Sequence, residues 1–301
     1  FAYNTGYYVQ IDASAFDDDA GNSYAGISDT TTWNFTTNSW YNDSWNYRIK
    51  LTVDASYVNG SLTNFPVYVD LSNFSSITDF FGNVKSDGSD IRVTKSNGTT
   101  EVAREIVAIS NTANTGEMHF VANGTLSSST DTEFYLYYGN AAASEPAESA
   151  TYGKNNVWVN NYVGVWHLND SVSSSSTVYD STGNSIDGTT VGSMTSGDSV
   201  TGKMGKAFDF DGTDDYVNLT NAAATQISKG TVSSWFKTSS PGSSYRGIVV
   251  KRFAYGAFTE TSTLSFFDWG ATAVRDTNTD VASGTWKYFD LTLNGTSSAG
   301  S

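Results

Sequence analysis

Apolar and polar residues alternate most regularly over residues 45–54. Trp45, Tyr47, Ile49, Leu51 and Val53 share one parity, and Asn46, Arg48, Lys50, Thr52 and Asp54 share the other. A period of two marks a strand with one buried and one wet face. Similar runs predict strands at 65–71, 90–95, 102–109, 117–122 and 132–138. They are separated by Asn59-Gly60, Asp87-Gly88, Asn97-Gly98 and Asn123-Gly124, dipeptides suited to tight turns. Short strands at this spacing predict a β-sandwich. Residues 141–149 fit a short helix or a loop equally well.

Both flanks carry weaker patterns of the same kind. Residues 7–12 read as a strand, 17–22 as a turn and 33–37 as a closing strand, with a short polar linker at 39–44. Residues 203–219 hold two apolar runs joined by an acidic turn. Phe208 and Phe210 are expected to point one way, and Tyr216 to begin the second strand of a hairpin. Asp211-Gly212-Thr213-Asp214 supplies the turn, with Gly212 at positive φ.

The 203–219 stretch, Lys-Met-Gly-Lys-Ala-Phe-Asp-Phe-Asp-Gly-Thr-Asp-Asp-Tyr-Val-Asn-Leu, closely resembles a hairpin of LamG-like (laminin G, concanavalin A-like) jelly rolls. Val163-Gly164-Val165-Trp166-His167-Leu168 resembles that family's opening strand. Val178-Tyr179-Asp180-Ser181-Thr182-Gly183-Asn184 with Asp187-Gly188 resembles its first loop, and Gly230 to Lys237 and Gly284 to Tyr288 resemble later strands. The resemblance covers 159–301 and implies a two-sheet sandwich used mostly for binding and adhesion. Residues 45–158 resemble domain-of-unknown-function family 2341 (DUF2341), through Trp45-Asn46-Tyr47-Arg48, Asn64-Phe65-Pro66-Val67, Asp87 to Val93 and Phe134 to Asn140. That family commonly precedes a LamG-like jelly roll, joined as here at 157–168. Glu117-Met118-His119-Phe120-Val121 departs from it, since relatives often carry a Trp-led strand there. Residues 1–38 resemble the C-terminal strands of an S-layer-type bacterial Ig-like domain. The expectation is therefore all-β: tandem antiparallel β-sandwiches, with a partial Ig-like domain, a DUF2341 sandwich and a partial concanavalin A-like jelly roll. These resemblances imply an internal piece of a longer prokaryotic protein, with further strands before Phe1 and after Ser301.

Composition narrows the partners. The chain has no cysteine, so neither disulfides nor thiolate metal sites arise. Its net charge is −15, from 16 Lys+Arg against 31 Asp+Glu, which argues against nucleic acid and anionic membranes. No apolar run approaches the roughly 20 residues needed to span a bilayer. Abundant Asn, Ser, Thr, Gly, Tyr and Trp suit an extracellular or surface-displayed β protein. Nine Asn-x-Ser/Thr sequons begin at Asn34, Asn42, Asn59, Asn73, Asn97, Asn123, Asn169, Asn218 and Asn294; they imply glycosylation only in a host that glycosylates surface proteins.

Catalytic signatures are missing. The concanavalin A-like fold also hosts glycoside hydrolases, which need paired carboxylates, but no E-x-D-x-x-E strand motif occurs. There is no G-x-S-x-G or H-E-x-x-H. His119 and His167 are the only histidines, so a three-histidine metal site is impossible; His167, in an apolar stretch beside Trp166, reads as a core residue, and no catalytic residue is expected. Asp211 and Asp214 are expected to satisfy turn amides, and Asp215 to be a solvated turn residue. Asp17, Asp19 and Gly21 lack the rest of an EF-hand loop and read as a plain turn. The jelly-roll resemblance implies calcium at a sheet edge, with Glu260, Asp268, Asp276 and Asp280 as candidates. Trp235, Phe236, Phe253, Tyr255, Phe258, Phe266, Phe267 and Trp269 crowd one region. Most must fill a core, while Tyr245, Tyr255 and Trp269 are expected to be exposed for sugar stacking. The expected function is non-catalytic binding of carbohydrate or a surface partner through the jelly roll. The alternatives are an accessory region that targets a polysaccharide-degrading enzyme, and a structural surface-layer or filament component.

Overall fold

A computed structural model describes residues 5–37, 40–242, 244–269 and 273–295. The chain is all-β, built from antiparallel sheets, and divides into two compact units, 1–157 and 158–301. No helix among the described residues is long and apolar enough to cross a membrane.

In the first unit, strands β1 (Gly6–Tyr8) and β2 (Asn34–Thr36) pair at the N-terminal end. There follow β3 (Tyr47–Val53), β4 (Leu62–Thr63), β5 (Pro66–Asp70), helix α1 (Ile77–Asn83), β6 (Arg92–Lys95) and β7 (Glu101–Val102). The unit continues with β8 (Arg104–Ser110), β9 (Thr115–Val121), β10 (Thr125–Leu126) and β11 (Thr132–Tyr138). One sheet has the order β3-β11-β6-β7, a second β5-β9-β8, and β4 pairs with β10. The sheets face each other through Phe134 of β11 and Phe120 of β9, whose rings meet edge to face at 4.8 Å. Helix α1 adds Phe80, which meets Tyr138 at 4.8 Å. Residues 141–149 contain no helix; they are irregular and are held by buried polar groups. Lys85 Nζ donates to the carbonyl of Ala143, Arg92 Nη2 to that of Ser144, and the guanidinium of Arg104 grips both carboxylate oxygens of Glu145.

The outer face of the larger sheet is not bare. Trp40 and Tyr41, in the stretch read as a polar linker, both pack on Tyr137. Arg48 lies 4.8 Å from the Trp40 ring centroid and 4.5 Å from that of Tyr135. Tyr41 donates its hydroxyl to Glu101, which sits 3.3 Å from Arg92 Nε. Burial pushes both the Glu101 carboxyl and the Tyr41 hydroxyl above their usual ranges.

The second unit opens with β12 (Thr177–Val178), β13 (Gly188–Val191), β14 (Ser199–Thr201), β15 (Lys206–Phe208) and β16 (Tyr216–Leu219). Its larger strands are β17 (Lys229–Phe236), β18 (Arg246–Lys251), β19 (Tyr255–Glu260), β20 (Thr263–Asp268), β21 (Ala273–Asp280) and β22 (Lys287–Asn294). Strands β18 to β21 form a meander, and β17 pairs with β22. These two layers enclose Ala257, Leu264, Phe289, Leu291 and Leu293. A separate small core joins Val172, Val178, Met194 and Phe208.

Two expectations for this unit are corrected. Residues 163–168 form no strand. The buried carboxylate of Asp180 takes the amides of Val165, Thr182 and Ile186, so the segment is tied to a side chain rather than to a ladder. Nor is 203–219 a hairpin. Strand β15 pairs with β14 through a turn at 202–205, whereas β16 pairs with β13. The two apolar runs thus serve different sheets. Phe208 is buried, but Phe210 stays 41% exposed.

Candidate functional site

Gly212 has φ +73°, the left-handed conformation its turn requires. Around it, carboxylate oxygens of Asp211, Asp214 and Asp215 lie within 4.8 Å of one another. Asp211 Oδ1 accepts from the amides of Thr213 (2.7 Å) and Asp214 (3.3 Å). The Thr213 amide holds this carboxyl below the usual aspartate range. Asp215 departs from expectation: it is not merely solvated. Its Oδ1 accepts from the Ser193 amide at 3.0 Å and its Oδ2 from the Asp211 amide at 3.2 Å, so it braces the turn against the loop after β13. Asp215→Ala is therefore expected to lose about 1–2 kcal/mol. Gly212→Val should cost about 1 kcal/mol from backbone strain alone, since nothing lies within 4 Å of the position a Cβ would take. Urea unfolding of both variants checks this; parent-like stability of Asp215→Ala would refute the brace.

The four calcium candidates do not converge. In the β19–β20 ladder Glu260 stands opposite Thr263, and Asp268 opposite Tyr255. These rungs are five residues apart, about 17 Å at strand rise. Asp280 pairs with Thr263 at the Glu260 end, and its carboxylate accepts from the Ala282 amide. The backbone of Asp276 pairs with Ser265, between the two ends. In the first unit Asp18 caps a plain turn, accepting from the amides of Ala20 and Asn22.

Among the aromatic candidates, Tyr245 is exposed as expected, but Tyr255 is buried. Its hydroxyl donates to the Thr225 carbonyl at 2.9 Å while its ring joins the core. Trp269 is half-buried against Phe267 and Phe258.

The exposed rings that do lie together are on the β17–β22 ribbon. Strand β17 alternates strictly between exposed and half-buried residues, and β22 between exposed and buried ones. Pairing brings their exposed positions into rungs: Trp235 opposite Tyr288, Ser233 opposite Asp290, Thr231 opposite Thr292, and Lys229 opposite Asn294. Trp235 is 38% and Tyr288 51% exposed, with ring centroids 5.2 Å apart and planes inclined by 50°. The Tyr288 hydroxyl donates to Asp290 at 2.8 Å. Burial raises this phenol above its ordinary value, so it is a neutral donor near pH 7. The Thr231 and Thr292 hydroxyls meet at 3.2 Å. Lys203 Nζ lies 5.5 Å from the Trp235 ring centroid, and Lys237 Nζ lies 5.2 Å from that of Trp286. This face offers two open rings beside a ladder of hydroxyls, an amide and a carboxylate. Sequence reading passed over it because Trp235 and Tyr288 become neighbours only through pairing.

Other features are chemically plain. A groove of about 410 Å³ opens between β3 and β5, walled by Leu51, Val53, Val67, Val69 and Phe120. Its charged groups are engaged elsewhere, Lys50 with Glu133 and Asp70 with Ser72 and Asn73. His119 is buried on β9 with its ring 5.4 Å from Tyr68, and His167 is half-buried against Trp158. The sequon asparagines are exposed except Asn169, which is half-buried. No protein-family model, curated protein or solved structure matches the chain.

Proposed function

We propose that this chain is a non-catalytic, carbohydrate-binding part of a secreted or cell-surface modular protein, and that the 158–301 unit carries the binding. The observation that supports this reading is the exposed Trp235–Tyr288 pair beside the Ser233, Asp290, Thr231 and Thr292 rungs. Pyranose rings present apolar C–H faces and equatorial hydroxyls. Aromatic faces and short polar side chains on one rigid sheet complement both. The resemblance of 230–237 to a strand of LamG-like jelly rolls points the same way, and these residues lie on β17 or directly follow it. An accessory region targeting a polysaccharide-degrading enzyme would use the same face. A purely structural surface-layer role would not require these open rings.

Affinity electrophoresis of the 301-residue chain against soluble neutral and acidic polysaccharides, with and without chelator, tests the proposal. Retardation is expected with at least one polymer. The Trp235→Ala/Tyr288→Ala variant should bind about tenfold more weakly or worse. The chelator arm tests the calcium expectation. No reducing ends should be released. Undiminished retardation of the double variant would overturn the assignment of this face.

A further inference from the structure

We infer that the saccharide taken by the β17–β22 face is anionic, a glycan bearing carboxylate or sulfate groups. The inference rests on the proposed reading of this face and specifies its ligand chemistry. The chain carries a net charge of −15, so a surface region rich in cations stands out against its own background. Lys203 and Lys237 hold their ammonium groups over Trp235 and Trp286, and Lys229 stands exposed at the far end of the ladder. Asp290 is the carboxylate on these rungs, and it accepts the Tyr288 hydroxyl.

The position of Lys203 sets the preference. A neutral sugar stacking on that face of Trp235 must displace the ammonium and gives up its attraction to the ring. An anionic sugar lets the same ammonium swing to a ligand carboxylate or sulfate and form a charge-assisted hydrogen bond. The ladder is also polar along its length. The end at Trp235 and Trp286, where Lys203 and Lys237 converge on the rings, accommodates the anionic group, Lys229 offers a further cation at the other end, and the Asp290 rung between them meets hydroxyl donors. Because Lys203 and Lys229 are exposed, the attraction should be screened by salt.

The test uses the full chain in isothermal titration against two matched pairs: polygalacturonate with its methyl ester, and dextran sulfate with dextran. Tighter binding of the charged member of at least one pair is expected, and which pair responds separates a carboxylate ligand from a sulfate one. Lys203→Gln/Lys237→Gln should weaken binding of that charged member by about tenfold, at roughly three- to fivefold per exposed lysine. It should leave the melting temperature unchanged and flatten the salt dependence. Equal affinity within both pairs, abolished by Trp235→Ala, would overturn the anionic preference and keep the glycan face. Charged-polymer binding that survives Trp235→Ala would show non-specific attraction and overturn the inference. Absence of binding to all four polymers and to the neutral panel would overturn both readings.

Discussion

Arg104→Ala is expected to destabilise the first unit by about 3–5 kcal/mol. The side chain has no solvent exposure. Its Nε donates to the Ile91 carbonyl at 2.7 Å, and its two terminal nitrogens clamp Glu145 at 2.5 and 2.8 Å. Glu145 is about half exposed, so the ion pair alone contributes less than a fully buried one. The larger share comes from the void left by a long buried side chain and from the Ile91 carbonyl losing its donor. The 141–149 segment would lose its anchor at the same time. Arg104→Lys should recover little, because an ammonium cannot reproduce the planar fork. Urea denaturation of the full chain should show an earlier transition for both variants. A loss below about 1 kcal/mol for Arg104→Ala would refute this account.

Asp90→Ala is expected to cost about 3 kcal/mol, roughly 1 kcal/mol for each amide left without an acceptor. The carboxylate is fully buried and accepts from the backbone N–H groups of Lys85, Gly139 and Asn140. It therefore ties the segment after α1 to the end of β11, positions some 50 residues apart in the chain. Asp90→Asn keeps one acceptor oxygen and should fall between alanine and the parent in the same urea experiment. A stability equal to the parent for Asp90→Ala would show that water replaces the carboxylate. Asp180 performs the matching task in the second unit for Val165, Thr182 and Ile186.

The strands of the first unit were legible as short apolar, β-branched and aromatic runs bounded by turn residues, even where, as in β11, both faces are covered. Residues 132–138 coincide with β11, and the 45–54 alternation contains β3. The 102–109 run was misread as one strand, because Ala103 separates β7 from β8 and the two join different sheets. Helix α1 left no periodic trace. It is two turns long, Ser76 makes no side-chain cap, and its adjacent Phe80 and Phe81 are both buried. The hairpin expected at 203–219 failed for a related reason. Local apolar runs reveal strands but not partners, and here the partners β13 and β14 lie upstream. The candidate face shows both limits. The alternation of Thr231, Ser233 and Trp235 is visible in the chain, whereas the facing Tyr288, Asp290 and Thr292 are assigned by register alone. Tyr255 was misjudged because an aromatic with a hydroxyl can satisfy that hydroxyl on a carbonyl and still enter the core.

The ribbon of β17 and β22 writes two texts on one pair of strands. Every second residue faces outward, and those between, Val232, Phe236, Phe289, Leu291 and Leu293, belong to the hydrophobic interior or pack against it. Surface chemistry can therefore diverge by substitution at Thr231, Ser233, Trp235, Tyr288, Asp290 and Thr292 without repacking the interior. Insertion or deletion of one residue within either strand would reverse its faces, placing Val232 and Phe236 of β17, or Phe289, Leu291 and Leu293 of β22, in water and polar groups inside. Descendants of this chain should thus vary in what they recognise through point changes on these positions, with strand lengths held constant, and a library confined to them is the natural starting place for redirecting its specificity.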